Sequence, residues 1–145
     1  MSNQETRTID FIFFDIGGTL ADLDSHGKLV PYPTTTQMLV RFRDMLQIPM
    51  GVITTLGSYS REQGLALLHE AGLDGFLAPN GFFCEHDNGD VAKPSPSIYR
   101  AAAERVGVPT DRCLFVGENP VEVAGAITAG MRAILKPCPP GRDVP

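Results

Sequence analysis

Asp15, Thr54, Lys93 and Glu118 are scattered along the chain, yet together they carry what is needed to handle a phosphoryl group. In Phe13-Phe14-Asp15-Ile16-Gly17-Gly18-Thr19-Leu20 an apolar run stops at one carboxylate, and two glycines and a threonine then turn the chain. A carboxylate at the end of a buried strand is costly unless a charge faces it. The two acids, Asp15 and Glu118, can hold Mg2+ through the oxygen donors that ion prefers. The Thr54 hydroxyl and the Lys93 ammonium can hold the remaining phosphoryl oxygens. In such a kit Asp15 attacks phosphorus and forms an acyl phosphate that water then hydrolyses.

Each of these residues also has an ordinary structural reading. Asp15 before Gly17-Gly18 suits a strand-terminating turn. Thr54 and Thr55 suit the end of a strand, and a lysine is most often a solvated surface group. Asn119, Pro120 and Glu122 read as N-cap, first helical residue and capping-box acid, which explains Glu122 without a metal. Glu118 precedes that helix and has no such role. His69 and His86 have no further ligand at zinc spacing. Gly17-Gly18 fits neither a Walker loop nor a dinucleotide loop.

The elements that must position these groups alternate between strand and helix. Strands are expected at 9–14, 50–54, 76–78, 113–116 and 132–135. The apolar stripe Met38, Leu39, Phe42, Met45 and Leu46 predicts a helix over 33–47. Ser60 with Gln63 opens a second helix that Gly72 closes. Ser95-Pro96 opens a third, through Arg105, and residues 120–129 form a fourth. Residues 82–90 suggest a small hairpin with Asn88-Gly89 as its turn. This order predicts an α/β fold, with about five parallel strands and helices on both faces. Its ligand site lies beyond the carboxyl ends of the strands. Asp15, Thr54, Thr55 and Glu118 leave those ends.

The bulk properties set limits on partners. The 145 residues suit one domain with a substantial core. Residues 9–136 are expected to form it, between a polar arm, 1–8, and an irregular tail, 137–145. The formal charge of −5 argues against nucleic acid as a partner. No apolar run is long enough for a transmembrane helix, and the polar N-terminus lacks a signal-peptide core. Cys84, Cys113 and Cys138 are odd in number and form no CxxC pair. Reduced thiols and a cytoplasmic location are expected.

These motifs resemble, in order and spacing, the haloacid dehalogenase (HAD) superfamily, which is dominated by Mg2+-dependent phosphatases. Phe13 to Leu20 is similar to its first motif, an apolar strand then Asp-x-Asp-x-Thr. Val52-Ile53-Thr54 looks like the second, Lys93-Pro94 the third, and Phe115-Val116-Gly117-Glu118 with Glu122 the fourth. The resemblance implies Asp15 as nucleophile and Thr54, Thr55, Lys93 and Gly18 around the phosphoryl group. It implies Mg2+ on Asp15, the Gly17 carbonyl and Glu118, with Asn119 and Glu122 as further candidates.

Two departures bear on function. The family's second motif-one aspartate moves the proton, and here that position is Gly17. Losing a general acid/base typically costs about 10²- to 10⁴-fold in rate. A substitute could come from Asp22, Asp24 or His26 in the segment that curls over the site in this family. Otherwise the substrate has a good leaving group, such as an acyl or aryl phosphate. A binding-only reading, a pseudophosphatase that holds a phosphorylated ligand or partner protein, stands beside the weak or specialised phosphohydrolase. The second departure is that neither interval between motifs is long enough for a separate cap domain. An open site suits a phosphorylated small molecule or macromolecule, or closure by another copy of the chain.

Overall fold

All four side chains of β1, Phe11–Phe14, are buried, because the strand is central and helices cover both of its faces. It pairs in parallel with β4, Met50–Thr54, on one side and β6, Cys113–Gly117, on the other. Between β1 and β4 lie two short strands, β2, Ala21–Leu23, and β3, Leu29–Pro31, paired antiparallel. Strand β5, Leu77–Cys84, lies outside β4, and β7, Arg132–Leu135, outside β6. The sheet order is β5-β4-β1-β6-β7. The direction of winding therefore reverses at β1, and a crevice opens beyond the carboxyl end of that strand. The computed structural model describes residues 9–137. The expected arm, 1–8, and the expected tail beyond residue 137, with Cys138, lie outside the described residues.

Alternation along β1 sends side chains to two cores. Phe11 and Phe13 join Ile53, Phe83 and Phe115 beneath α3, Pro96–Val106, and α4, Pro120–Ala129. Ile12 and Phe14 join Val52 and Phe82 beneath α1, Thr35–Arg41, and α2, Arg61–Glu70. Helix α2 opens with the expected box: Gln63 N–H donates to Ser60 Oγ at 3.1 Å and Ser60 N–H to Gln63 Oε1 at 2.8 Å. Among the described residues, the intervals before and after β4 hold only these elements and short helical turns, with no separate domain.

Two expectations need correction. The segment 82–90 is not a hairpin. Phe82, Phe83 and Cys84 complete β5, pairing with Val52, Ile53 and Thr54, and a 3-10 turn, Glu85–Asn88, follows. An unbroken buried run suits a parallel strand covered on both faces. Asp87 then fixes the turn, accepting from Cys84 N–H at 3.1 Å and pairing with Arg61 at 3.0 Å and Arg105 at 3.2 Å. The helix expected over 33–47 is α-helical only to Arg41 and ends in a π-helical turn, Phe42–Leu46. The wider turn takes more residues per revolution, which rotates Met45 and Leu46 off the apolar stripe. They are 75% and 51% exposed.

Candidate active site

Asp15 continues β1 by one residue, its N–H donating to Val116 O at 3.0 Å. Its carboxylate is buried, and the charge that faces it is Lys93. Lys93 Nζ donates to Asp15 Oδ1 at 2.6 Å and lies 2.9 Å from Glu122 Oε1. The second contact is an ion pair lying outside hydrogen-bonding geometry, for Glu122 Oε1 has no hydrogen-bond partner. The lysine side chain is 1% exposed, and its ammonium also stands 5.6 Å from the centre of the Phe115 ring. A surface-lysine reading is excluded. One buried cation thus serves two carboxylates, which suits a site built to receive a further cation or a protonated group.

Two details of α4 create this arrangement. Asn119 caps the helix, accepting from Val121 N–H at 2.9 Å and Glu122 N–H at 3.3 Å. Glu122 therefore places its carboxylate on Lys93 instead of closing a capping box. Gly125 lets the loop carrying Lys93 approach, since a Cβ there would lie 2.3 Å from the Pro94 carbonyl oxygen. Tyr99 O–H donates to Glu122 O at 2.6 Å and ties α3 to the same turn.

After Asp15 the chain closes a tight turn in which Ile16 O accepts from the N–H groups of Thr19, Leu20 and Ala21. Gly18 has φ +79°, a conformation that favours glycine. Its N–H donates to Ala21 O and to Asp22 Oδ1, both at 3.2 Å. Both acceptors lie within the turn and the strand that follows it. The Thr19 hydroxyl is fully buried and has no partner. Gly17 is exposed, and its carbonyl accepts none of the hydrogen bonds that close the turn. Asp22 also accepts from Tyr32 O–H. Asp24 and His26 sit at the exposed tip of the β2–β3 hairpin. There Asp24 accepts from the backbone N–H groups of His26 at 2.8 Å and Lys28 at 2.9 Å. The bond from Lys28, then that from His26, holds its carboxyl below the usual range, so it is a poor proton donor near neutrality.

Thr54 ends β4 buried, and Thr55 beside it is exposed. The loop they open is held by Glu85, a residue that did not stand out in the sequence. Glu85 accepts from Leu56 N–H at 2.8 and 3.1 Å and from Gly57 N–H at 2.9 Å. Burial pushes its carboxyl up, but the bonds from Leu56 and Gly57 outweigh this and the net displacement is downward. The signal was present: Glu85 ends the apolar run Phe82-Phe83-Cys84 just as Asp15 ends Phe13-Phe14.

A cleft of about 570 Å³ lies between this loop, α2 and the β2–β3 hairpin. Gly17, Thr54 and Thr55 form part of its wall, which joins it to the strand tips. Ile16, Leu23, Leu29, Leu56, Tyr59 and Leu67 make most of the remainder, and Asp22 is its one charged side chain.

Among the described residues no three His, Cys, Asp or Glu side chains are grouped to hold a metal ion. Mg2+ does not require such a group, being commonly held by one or two carboxylates, water and substrate phosphate. Asp15 Oδ1 accepts from Lys93, and Oδ2 is the second oxygen that the carboxylate offers. Asp15, the Gly17 carbonyl and Glu118, which directly follows β6, are an oxygen donor set of suitable chemistry.

Comparisons with known proteins agree with this architecture. A family model described as haloacid dehalogenase-like hydrolase matches residues 23–130. The chain belongs to that family. The matched span begins beyond Gly17, so membership does not rest on the turn that departs from the family's pattern. The phospholysine phosphohistidine inorganic pyrophosphate phosphatase of Rattus norvegicus is 29% identical over 97 residues, or 64% of this chain. The match spans 34% of that relative, about a third of its length. Among solved structures, an uncharacterized protein from Listeria monocytogenes serotype 4b superposes with a TM-score of 0.79 at 15% identity. That match covers 94% of this chain and 85% of the other. A HAD family hydrolase from Deinococcus radiodurans R1, with bound phosphate and sodium, gives 0.68 at 18% identity over 94% and 84%. These likenesses show the shared fold.

Proposed function

We propose that the chain is a phosphohydrolase that works through an aspartyl-phosphate on Asp15. The observation that carries this reading is the buried Lys93 ammonium 2.6 Å from Asp15 Oδ1, at the point where the sheet reverses. A lysine so placed holds the nucleophile in position and neutralises phosphoryl oxygens as they arrive. A relative named as a phosphatase and a solved family member holding phosphate give the reading support.

Asp15 forms the new P–O bond while the bond from phosphorus to the leaving oxygen breaks, and the electron pair departs on that oxygen. Water then attacks phosphorus, the bond to Asp15 breaks, and orthophosphate and the free carboxylate result, with the water proton passing to solvent. Thr54 orients the phosphoryl group and Glu122, 2.9 Å from the ammonium, holds Lys93 in place. Mg2+, held by Asp15, the Gly17 carbonyl and Glu118, would offset negative charge on the phosphoryl oxygens. Gly17 supplies no proton, so the leaving oxygen must depart without one from this position.

A panel of phosphate esters and acetyl phosphate, assayed with and without Mg2+ against Asp15→Asn, tests the proposal. Turnover that needs both Mg2+ and Asp15 is expected. Turnover that survives Asp15→Asn would remove the nucleophile. Tight phosphate or beryllofluoride binding without any turnover would leave a binding module, the reading that Gly17 favours.

A further inference from the structure

We infer that the substrate is an aryl phosphate monoester, its ring seated in the cleft between α2 and the β2–β3 hairpin. The inference rests on the phosphohydrolase reading and adds what lies beyond the phosphoryl group. Two independent observations converge on it.

The first is the wall of the cleft. It includes Gly17 and Thr54, the near neighbours of Asp15 at the strand tips, so the cleft adjoins the place where a phosphate at Asp15 would carry its leaving group. Beyond that edge the wall is mostly aliphatic, Asp22 and Thr55 apart, with Tyr59 available to meet a ring face. A sugar would bring hydroxyl groups to a surface with few partners for them, and each unmatched group would cost affinity. A second phosphate or carboxylate would meet Asp22, the one charge there, which already accepts from Gly18 N–H and Tyr32 O–H. An uncharged aromatic ring fits on both grounds.

The second is the missing proton donor. Gly17 has no side chain, Asp22 accepts from Gly18 N–H and Tyr32 O–H, Asp24 is committed to the hairpin turn, and His26 lies exposed at the hairpin tip. A phenolate, whose conjugate acid has a pKa of about 10 as in tyrosine, leaves without protonation far more readily than an alkoxide. The aryl oxygen departs with the P–O electron pair and takes its proton from water afterwards. Pocket and leaving group thus select the same chemistry.

Non-hydrolysable phosphonates separate this inference from the reading beneath it. Binding of benzylphosphonate, methylphosphonate and orthophosphate is measured by calorimetry on the full chain with Mg2+. Benzylphosphonate should bind about tenfold or more tighter than methylphosphonate, from apolar area removed from water. Leu67→Gln and Leu29→Asn, both on the cleft wall, should shrink that ratio. Equal affinities, with orthophosphate bound, would overturn the aryl assignment and leave the phosphohydrolase standing. Failure of all three to bind would remove the phosphoryl site and both readings together. A ratio unmoved by either substitution would place the ring elsewhere and overturn the cleft assignment.

Discussion

Lys93 Nζ and Asp15 Oδ1 stand 2.6 Å apart although 78 positions separate the residues, and Glu122 holds the ammonium from its other side at 2.9 Å. The contact joins the loop before α3, the tip of β1 and the first turn of α4. It is an arrangement in which no member can be removed quietly. Lys93→Met keeps most of the packing against Phe115 but leaves two carboxylates facing one another. Breaking a buried pair typically costs about 3–5 kcal/mol. Asp15 and Glu122 side chains retain 12% and 22% exposure, so water should relieve part of this and the lower end, about 3 kcal/mol, is expected. Urea denaturation measures it. Adding Glu122→Gln should recover stability without recovering turnover.

Glu85 gives a different kind of prediction, because it touches no reacting atom. Its carboxylate orders the loop after Thr54 through Leu56 and Gly57. Glu85→Gln keeps the shape but loses a charged acceptor, at a cost of about 1–3 kcal/mol. KM should rise more than kcat falls, since the substitution loosens phosphate binding and leaves Asp15 in place. The pH dependence has a definite sign. The folded carboxyl lies below its unfolded value, so its contribution is present above the unfolded pKa and lost as pH falls through the folded one. The stability gap between wild type and Glu85→Gln should therefore narrow on acidification. A gap that widens would contradict the assignment.

The alternation of strands and helices was legible because apolar runs and caps are local signals, and the need of Asp15 for a charged partner because a carboxylate ending a buried run demands one; that the partner is Lys93 was implied by the family resemblance. Three features were not. Phe82 to Cys84 read as half a hairpin because Asn88-Gly89 is a strong turn signal, and only pairing with β4 shows that the run belongs to the parallel sheet. The π-helical turn that exposes Met45 leaves no trace in hydrophobic spacing. Glu122 looked like a capping acid because its sequence position fits one, whereas its side chain answers a lysine 29 positions away. Long-range electrostatics decided that case over local propensity.

The hairpin residues that seemed able to replace the missing acid should prove dispensable. Asp24→Ala removes an acceptor of two backbone N–H groups at an exposed turn. His26→Ala removes an exposed side chain and leaves the backbone N–H that donates to Asp24. Each should leave kcat/KM for phenyl phosphate within about twofold of wild type, where a true general acid contributes about 10²- to 10⁴-fold. The pH–rate profile should likewise keep its shape in His26→Ala, and loss of a limb near neutral pH would reinstate that residue.

Gly17→Asp asks whether proton transfer is the only thing lacking. A Cβ built on Gly17 meets no atom within 4 Å, and the residue is not among those with positive φ. The Cβ of the aspartate therefore has room at this position, and the backbone carbonyl offered to Mg2+ is retained. Its effect should depend on the leaving group. An alkyl phosphate, whose alkoxide needs protonation, should gain by as much as the about 10²- to 10⁴-fold that a positioned acid contributes. A nitrophenyl phosphate, which leaves unaided, should gain little. Plotted against leaving-group pKa, the rates of wild type should fall steeply and those of Gly17→Asp only shallowly. Parallel lines would mean that the added carboxylate does not reach the leaving oxygen, and that the turn after Asp15 holds position 17 away from the reacting atoms.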